Sequence, residues 1–412
     1  MPQFLVGHAT HPDWRAALVL AAAQIDGRAA SHEASGAGPL SLGFVYFTDH
    51  YAAHAEALYA ELRQRWPGVA WVGSVGVGIC VGGAEYMDEP ALALMLGALP
   101  AGRFEVFSGA RKLSRIEPFS ALVHADPATP DLSELITELA DRTTSGYLFG
   151  GLASSRGTAV HIADGVWRGG LSGVAFSSDV ALISRVTQGC QPIGPTRRIT
   201  ASERNIAVEL DGEAALACLL RDLGVANLDD PRAVMPRLRS TLVGITNEHD
   251  DALSRGGQFG SDTRVRHLVG LDPARRAVAV AEMLEPGMRI AFCQRDVQAA
   301  RRDLVRICSE IRDEVETHAE AVPVADAGSD PAASNAADEA ASAPALRHIR
   351  GAVYVSCTGR GGAHFGGASA EMKAIQHALG DVPLVGFFAA GEIARHHVYG
   401  YTGVLTVFTS GA

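Results

Sequence analysis

The sequence predicts an α/β protein of two domains, with mixed β-sheets flanked by helices and built from repeated β-α-β-β passes. Three observations carry this. Short apolar runs rich in valine, phenylalanine and tyrosine alternate with segments of helical spacing. The order strand, helix, glycine-ended strand, return strand occurs three times. In each pass the second strand holds an apolar pair before glycine: W-V-G-S at 71–74, L-F-G-G at 148–151 and L-V-G-F at 384–387. With 412 residues the chain exceeds one typical domain.

The elements follow in order. Phe4–His8 is a strand, and Thr10 caps a helix over about 11–25. Residues 26–40 are rich in glycine, serine and alanine and read as a loop. The first pass is strand Leu42–Thr48, a helix capped by Asp49 and ended by Pro67-Gly68, the strand run Val69–Ile79, and return strand Pro90–Leu96. The second is Phe119–His124, a helix over 131–143, Tyr147–Ser155 and Leu171–Ser177. Strand Val180–Val186 leads to C-Q-P-I-G-P-T at 190–196, a Pro/Gly hinge. The hinge divides the chain into domains 1–195 and 196–412.

Beyond it come strands Asn205–Leu210, Thr241–Thr246, Arg264–Gly270, Ala277–Met283 and Arg289–Cys293, with a helix over 212–223 and a long one from Asp296 to about Glu316. Residues 318–345 are rich in alanine, proline, serine and aspartate, with almost no large apolar group. Such a stretch buries too little surface to offset its ordering entropy, so a disordered insertion is expected there. The third pass closes the chain: strand Val353–Cys357, the turn T-G-R-G-G, a helix from Ser369 to Leu379 stopped by Gly380, strand Val382–Phe388, and return strand Tyr399–Phe408.

Composition narrows the function. The formal net charge of −11 argues against nucleic-acid or anionic-membrane partners. Six scattered cysteines without a C-x-x-C pair suggest a reducing compartment. No apolar run is long enough to span a bilayer, and a cytoplasmic location is expected. Catalytic signatures are missing: there is no G-x-S-x-G, H-E-x-x-H or P-loop, and the chain has only two lysines, Lys112 and Lys373. G-S-V-G-V-G at 73–78 has dinucleotide-like spacing but leads into a strand, so it reads as a tight turn.

The candidate chemistry sits at the glycine-rich strand ends of the third pass. Cys357 is a nucleophile candidate beside Arg360, or a small buried hydrophobe. Arg360 lies between Gly359 and Gly361, where a guanidinium can fork a carboxylate or pair with Glu392. Glu392 follows Gly391 and supplies the opposite charge, with Tyr399 nearby in sequence. Ser74 and Ser154 offer hydroxyls at the glycine breaks of the other passes, or serve turns. His364, His396 and His397 could join Glu392 in a metal set, but the segment reads as a loop and no metal is expected.

S-C-T-G-R-G at 356–361, P-L-V-G-F-F at 383–388, G-E-I at 391–393 and Y-G-Y-T-G at 399–403, in this order, resemble the C-terminal part of the FIST module. The E-P-G-M and F-C-Q-R-D segments near 285–296 are similar to it as well. The resemblance extends over most of the chain, weakly before about Leu40 and not over 318–345. It implies a bacterial sensory protein in intracellular signal transduction, binding an amino acid or another small metabolite and not acting as an enzyme. Arg360 would then hold an anionic group, Glu392 a cationic one, and Gly359–Gly362 would add backbone N–H groups. The ligand site is expected at Cys357, Gly359, Arg360, Gly361, Gly391, Glu392, Tyr399, Ser74 and Ser154. A separate partner protein would receive the signal. The resemblance leaves open a haem-based nitric-oxide sensor. The residues themselves leave open a thiol-dependent enzyme using Cys357.

Overall fold

Three of the four sheets share one six-strand order. In the computed structural model, which describes residues 4–34, 36, 38–226, 231–247, 263–320 and 348–410, each pass pairs its two main strands in parallel across a helix. Leu42–Thr48 lies beside Ala70–Gly76, Ser120–Ala125 beside Tyr147–Leu152, and Ile349–Cys357 beside Leu384–Ala389. The crossing helices are Ala55–Arg65, Leu132–Asp141 and Ala370–Leu379. The return strands Ala91–Gly97, Leu171–Phe176 and Thr402–Thr409 run antiparallel to the first strand of each pass. An edge strand then completes that side: Leu5–Thr10, Phe104–Phe107 or Leu182–Gln188.

The shared glycine of each pass has one cause. A Cβ at Gly73, Gly150 or Gly386 would lie 1.7, 2.0 or 1.6 Å from the carbonyl oxygen of Val45, Val123 or Tyr354 on the parallel neighbour. No side chain fits there, so the repeated motif records a close backbone approach.

The opposite edge of each sheet comes from elsewhere in the chain. Between the second strand and the return strand of the first pass, the hairpin Gly78–Val81 with Ala84–Met87 joins the third sheet. The corresponding hairpin of the second pass, His161–Ala163 with Val166–Trp167, joins the first sheet. That of the third, Glu392–Arg395 with His397–Tyr399, joins the second. Each pass therefore gives a hairpin to another pass in a closed cycle. Strands from both sides of residue 195 share the second and third sheets, so the expected cut at 195/196 divides the chain but not the sheets. Hairpin exchange is the physical reason.

The inner faces of the three sheets meet around one core. Phe4, Phe44, Phe176 and Phe408 pack ring on ring at one end. Farther in, the Tyr46 hydroxyl meets His124 Nε2 at 3.1 Å, and Tyr46 stacks on Phe387. Helices cover the outer faces. The first, Trp14–Ala34, runs past the expected end at residue 25; the alanines of 26–34 favour the helix over the loop expected there. Helix Val297–Glu320 enters the first positions of the 318–345 stretch, and 321–345 lie outside the described residues.

The fourth sheet is a closed barrel inserted into the third pass. Arg197–Glu203, Ile206–Leu210, Ala277–Val280, Arg264–Asp272, Thr241–Thr246 and Arg289–Arg295 pair in sequence, and the last pairs with both the first and Thr241–Thr246. The barrel has its own core, including Ile199, Leu219, Val243 and Phe292. Five of these six strands were expected singly; Arg197–Glu203 and the closure were not.

Candidate functional site

The candidate residues of the third pass meet where the barrel rests on the end of strand Ile349–Cys357. Cys357 ends that strand and pairs with Ala389. Its thiol is buried, and burial, followed by the nearby Glu392 carboxyl, pushes its pKa up to about 12. The thiol is therefore neutral at physiological pH, and the neutral form is not the attacking one.

The chain then turns sharply, with the Arg360 amide donating to the Cys357 carbonyl at 2.8 Å. The Arg360 side chain is folded inward and 1% exposed. Its Nε donates to Glu371 Oε1 at 2.9 Å, and Nη2 lies 2.8 Å from the same oxygen. Glu371 also accepts the Tyr354 hydroxyl at 2.6 Å and the Ser356 hydroxyl at 3.0 Å. This corrects the expected pairing of Arg360 with Glu392: its partner is Glu371, in the first turn of helix Ala370–Leu379. Glu371 engages the guanidinium through Nε, while Nη2 is close to Glu371 but makes no hydrogen bond among the described residues.

Glu392 opens the third hairpin and is fully buried. Its Oε2 accepts the Thr402 amide at 3.2 Å and the Thr402 hydroxyl at 2.7 Å. Its Oε1 accepts no hydrogen bond among the described residues. Burial raises its pKa to about 8, against the lowering by the Thr402 bonds and the Arg360 charge. Glu392 is then mostly protonated at neutral pH, a hydrogen-bonding group and not a fixed countercharge. Tyr399 pairs with it across the hairpin and is buried.

The remaining sequence candidates divide. Gly359 lines the turn. At Gly361 a Cβ would lie 2.8 Å from the Phe388 ring, and at Gly391 one would lie 2.8 Å from Val398. These two glycines make room for neighbouring protein side chains. Ser74 faces His161 in the first sheet and bonds the Val75 carbonyl at 3.1 Å. Ser154 accepts the Val77 amide at 3.0 Å and donates to the Phe388 carbonyl. Both serve backbone ties, and Ser74 belongs to another sheet.

Sequence reasoning passed over Glu371, Tyr401, Thr402, His267 and Arg295. Tyr401 and Thr402 lie in the Y-G-Y-T-G motif, and Arg295 in F-C-Q-R-D. Glu371 had a readable signal: it stands one helical turn before Ile375, on the buried stripe.

Residues 41–213 match the FIST N domain, and residues 215–395 match the FIST C domain. The chain belongs to the FIST family. FIST domains are associated with sensory signal transduction. An uncharacterized protein of Mycobacterium tuberculosis (strain H37Rv) is 28% identical, with 98% of each chain covered. One from Mycobacterium bovis is 29% identical, again with 98% of each covered. The FIST N match ends inside the barrel, and the FIST C match begins there and ends on the third hairpin.

A haem does not fit at His124 or His161 of this FIST protein. His124 keeps an unbonded Nδ1 among the described residues, but its ring is packed between Tyr46 and Phe387 at 5.6 and 5.8 Å. His161 holds Ser172 with Nδ1 and the Gly169 carbonyl with Nε2 at 3.2 Å. Among the described residues no group of three His, Cys, Asp or Glu side chains is arranged to hold a metal. No helix among them is long and apolar enough to cross a membrane.

Proposed function

We propose that this FIST protein is a sensor that binds a small polar metabolite, an amino acid being the first class to test, at the junction of Cys357, Glu392 and Tyr401. One observation carries the reading. Glu392 is a fully buried carboxyl with one oxygen saturated by Thr402 and the other unmatched among the described residues. Buried polar groups are rarely left without a partner, and a ligand donor or acceptor at Oε1 would complete the set. Arg360 contributes charge from behind and is held by Glu371, so the ligand is recognised through Glu392 and backbone groups. The neutral Cys357 thiol supports binding over catalysis. We further propose that the protein acts in the cytoplasm, signals through a separate protein partner, and binds neither nucleic acid nor membrane, in keeping with its net charge of −11.

A native mass spectrum of freshly purified protein tests the reading, followed by calorimetric titration with an amino-acid panel against wild type and Glu392→Gln. Added mass or a fitted binding isotherm in wild type, weakened at least tenfold in the variant, is expected. Equal binding by both proteins would move the site elsewhere, and no binding by either would reject this ligand class.

A further inference from the structure

The barrel is attached to the body by two chain crossings that touch each other. It leaves after Gln188 and returns at Asp296, whose amide donates to the Gly189 carbonyl at 3.1 Å. Glycine is required at that crossing: a Cβ on residue 189 would lie 2.8 Å from the Tyr401 carbonyl oxygen and 3.1 Å from Arg360 Nη1. A compact unit with its own core, hung on one paired crossing, has the geometry of a hinged element.

Beyond the crossing itself, few described side chains tie the barrel to the body. Gln188 Nε2 donates to the Thr263 carbonyl at 3.0 Å. The Tyr401 hydroxyl meets His267 Nε2 at 2.7 Å. Arg295 lies over the Tyr401 ring at 5.3 Å and donates to the Gly359 carbonyl. Arg266 Nη2 donates to the Val398 carbonyl at 2.9 Å. The apolar contact gathers Cys190, Leu242, Val265, Ala291 and Cys293, with Tyr401 packed against them from the body.

Tyr401 holds this place against its backbone preference. Its φ is 62°, in the left-handed region. Counted from the paired strands, the same position in the second pass is Gly169, with φ 71°. The third pass thus uses a strained tyrosine where the second pass uses glycine, and the ring spans from the body to the barrel. Behind it lie Cys357, Arg360 and Glu392, at 8%, 1% and 0% exposure. Arg360 and Glu392 are closed off from solvent, and Cys357 keeps only a sliver of exposure.

We propose that the barrel is a hinged lid over the Cys357–Glu392 junction and that Tyr401 is its latch. The lid gives its purpose to the binding reading above, but its test needs no ligand, so either can fail alone.

The experiment is site-resolved alkylation of the folded, full-length protein with iodoacetamide at one fixed pH, read by mass spectrometry. The six cysteines form a built-in control. Cys190, Cys293 and Cys357 border the lid contact, whereas Cys80 and Cys308 lie in the third-pass core and Cys218 in the barrel core. In Tyr401→Gly, Cys190, Cys293 and Cys357 should label at least tenfold faster than in wild type, with the other three unchanged. Tyr401→Phe, which keeps the ring and loses the His267 bond, should accelerate the same three by less. If Tyr401→Gly does not fold, Tyr401→Phe and His267→Ala carry the test. Parallel acceleration at all six cysteines would mean general unfolding and would overturn the lid. Unchanged labelling at Cys357 in every folded variant would overturn it too.

Discussion

Arg360 and Glu371 are a buried ion pair, and removing one member strands the other. Arg360→Ala should cost about 3–5 kcal/mol of stability, because Glu371 stays buried without its cation. The double variant Arg360→Met with Glu371→Gln should recover part of that loss, since it removes both buried charges while the amide oxygen still accepts a hydroxyl from Tyr354 or Ser356. Urea unfolding of the three proteins decides it; a small effect of the single change would show that the Tyr354 and Ser356 hydroxyls suffice to hold Glu371. Glu392 makes a prediction with a sign. Its pKa rises from 4.5 to about 8 on folding, so between those values the folded state holds a proton that the unfolded state has released. Stability should fall as pH rises through that window and level off above about 8. Glu392→Gln has no such proton. The difference in melting temperature between wild type and variant should therefore change steadily from pH 5 to 8; a constant difference would mean that Glu392 is not protonated in the fold. At this scale the sequence showed which residues gather, because Cys357, Arg360 and Glu392 lie in short glycine-flanked motifs. It did not show who pairs with whom. Glu371 is buried under a hairpin that arrives from residues 78–87, and no local pattern announces that cover.

The same hairpin explains how helix Ala370–Leu379 begins. Ser369 stands at its N-cap but makes no side-chain bond to the helix amides. Glu85 makes them instead: its Oε1 accepts the Glu371 amide at 3.1 Å and the Met372 amide at 3.3 Å, and its Oε2 accepts the Gly362 amide at 3.1 Å. The Ser369 hydroxyl returns the favour by accepting the Glu85 amide at 2.9 Å. This is the reciprocal logic of a capping box, with its two halves 284 residues apart. Glu85→Ala should destabilise by about 1–2 kcal/mol, as loss of a helix cap does. Thermal melts beside Glu85→Gln check it, the amide keeping one of the two acceptor oxygens without the charge. Most helix positions were readable from 3.6-residue spacing, and the parallel strands from apolar runs ending in glycine; helix Pro231–Ser240 was not, because Pro231 and Pro236 read as a loop. The barrel and the hairpins were not, because short two-sided strands carry no distinctive period and their partners are set by the whole chain.

For the whole molecule, the exchange of hairpins decides what can be removed. Residues 190–295 leave and return at touching points, so deleting them and joining Gly189 to Asp296 through a short glycine link should leave the body with a cooperative melt. A cut after residue 195 should not give two folded halves, because Gly78–Met87 would lose the third sheet and Tyr147–Leu152 would lose the Glu392 hairpin. Circular dichroism of both products distinguishes these outcomes, and a stably folded 1–195 fragment would refute the second. The threefold order of passes was legible because a close backbone approach forces glycine at the same place each time. The cycle joining them was not, because each hairpin carries its information on another pass's edge. That cycle also bears on descent. Three passes, each clasping another, are what three separate copies of one short chain would form as a ring. Fused end to end, they would keep the clasps and lose the need for likeness, leaving one copy free to take in a barrel and a ligand while the others stayed as frame.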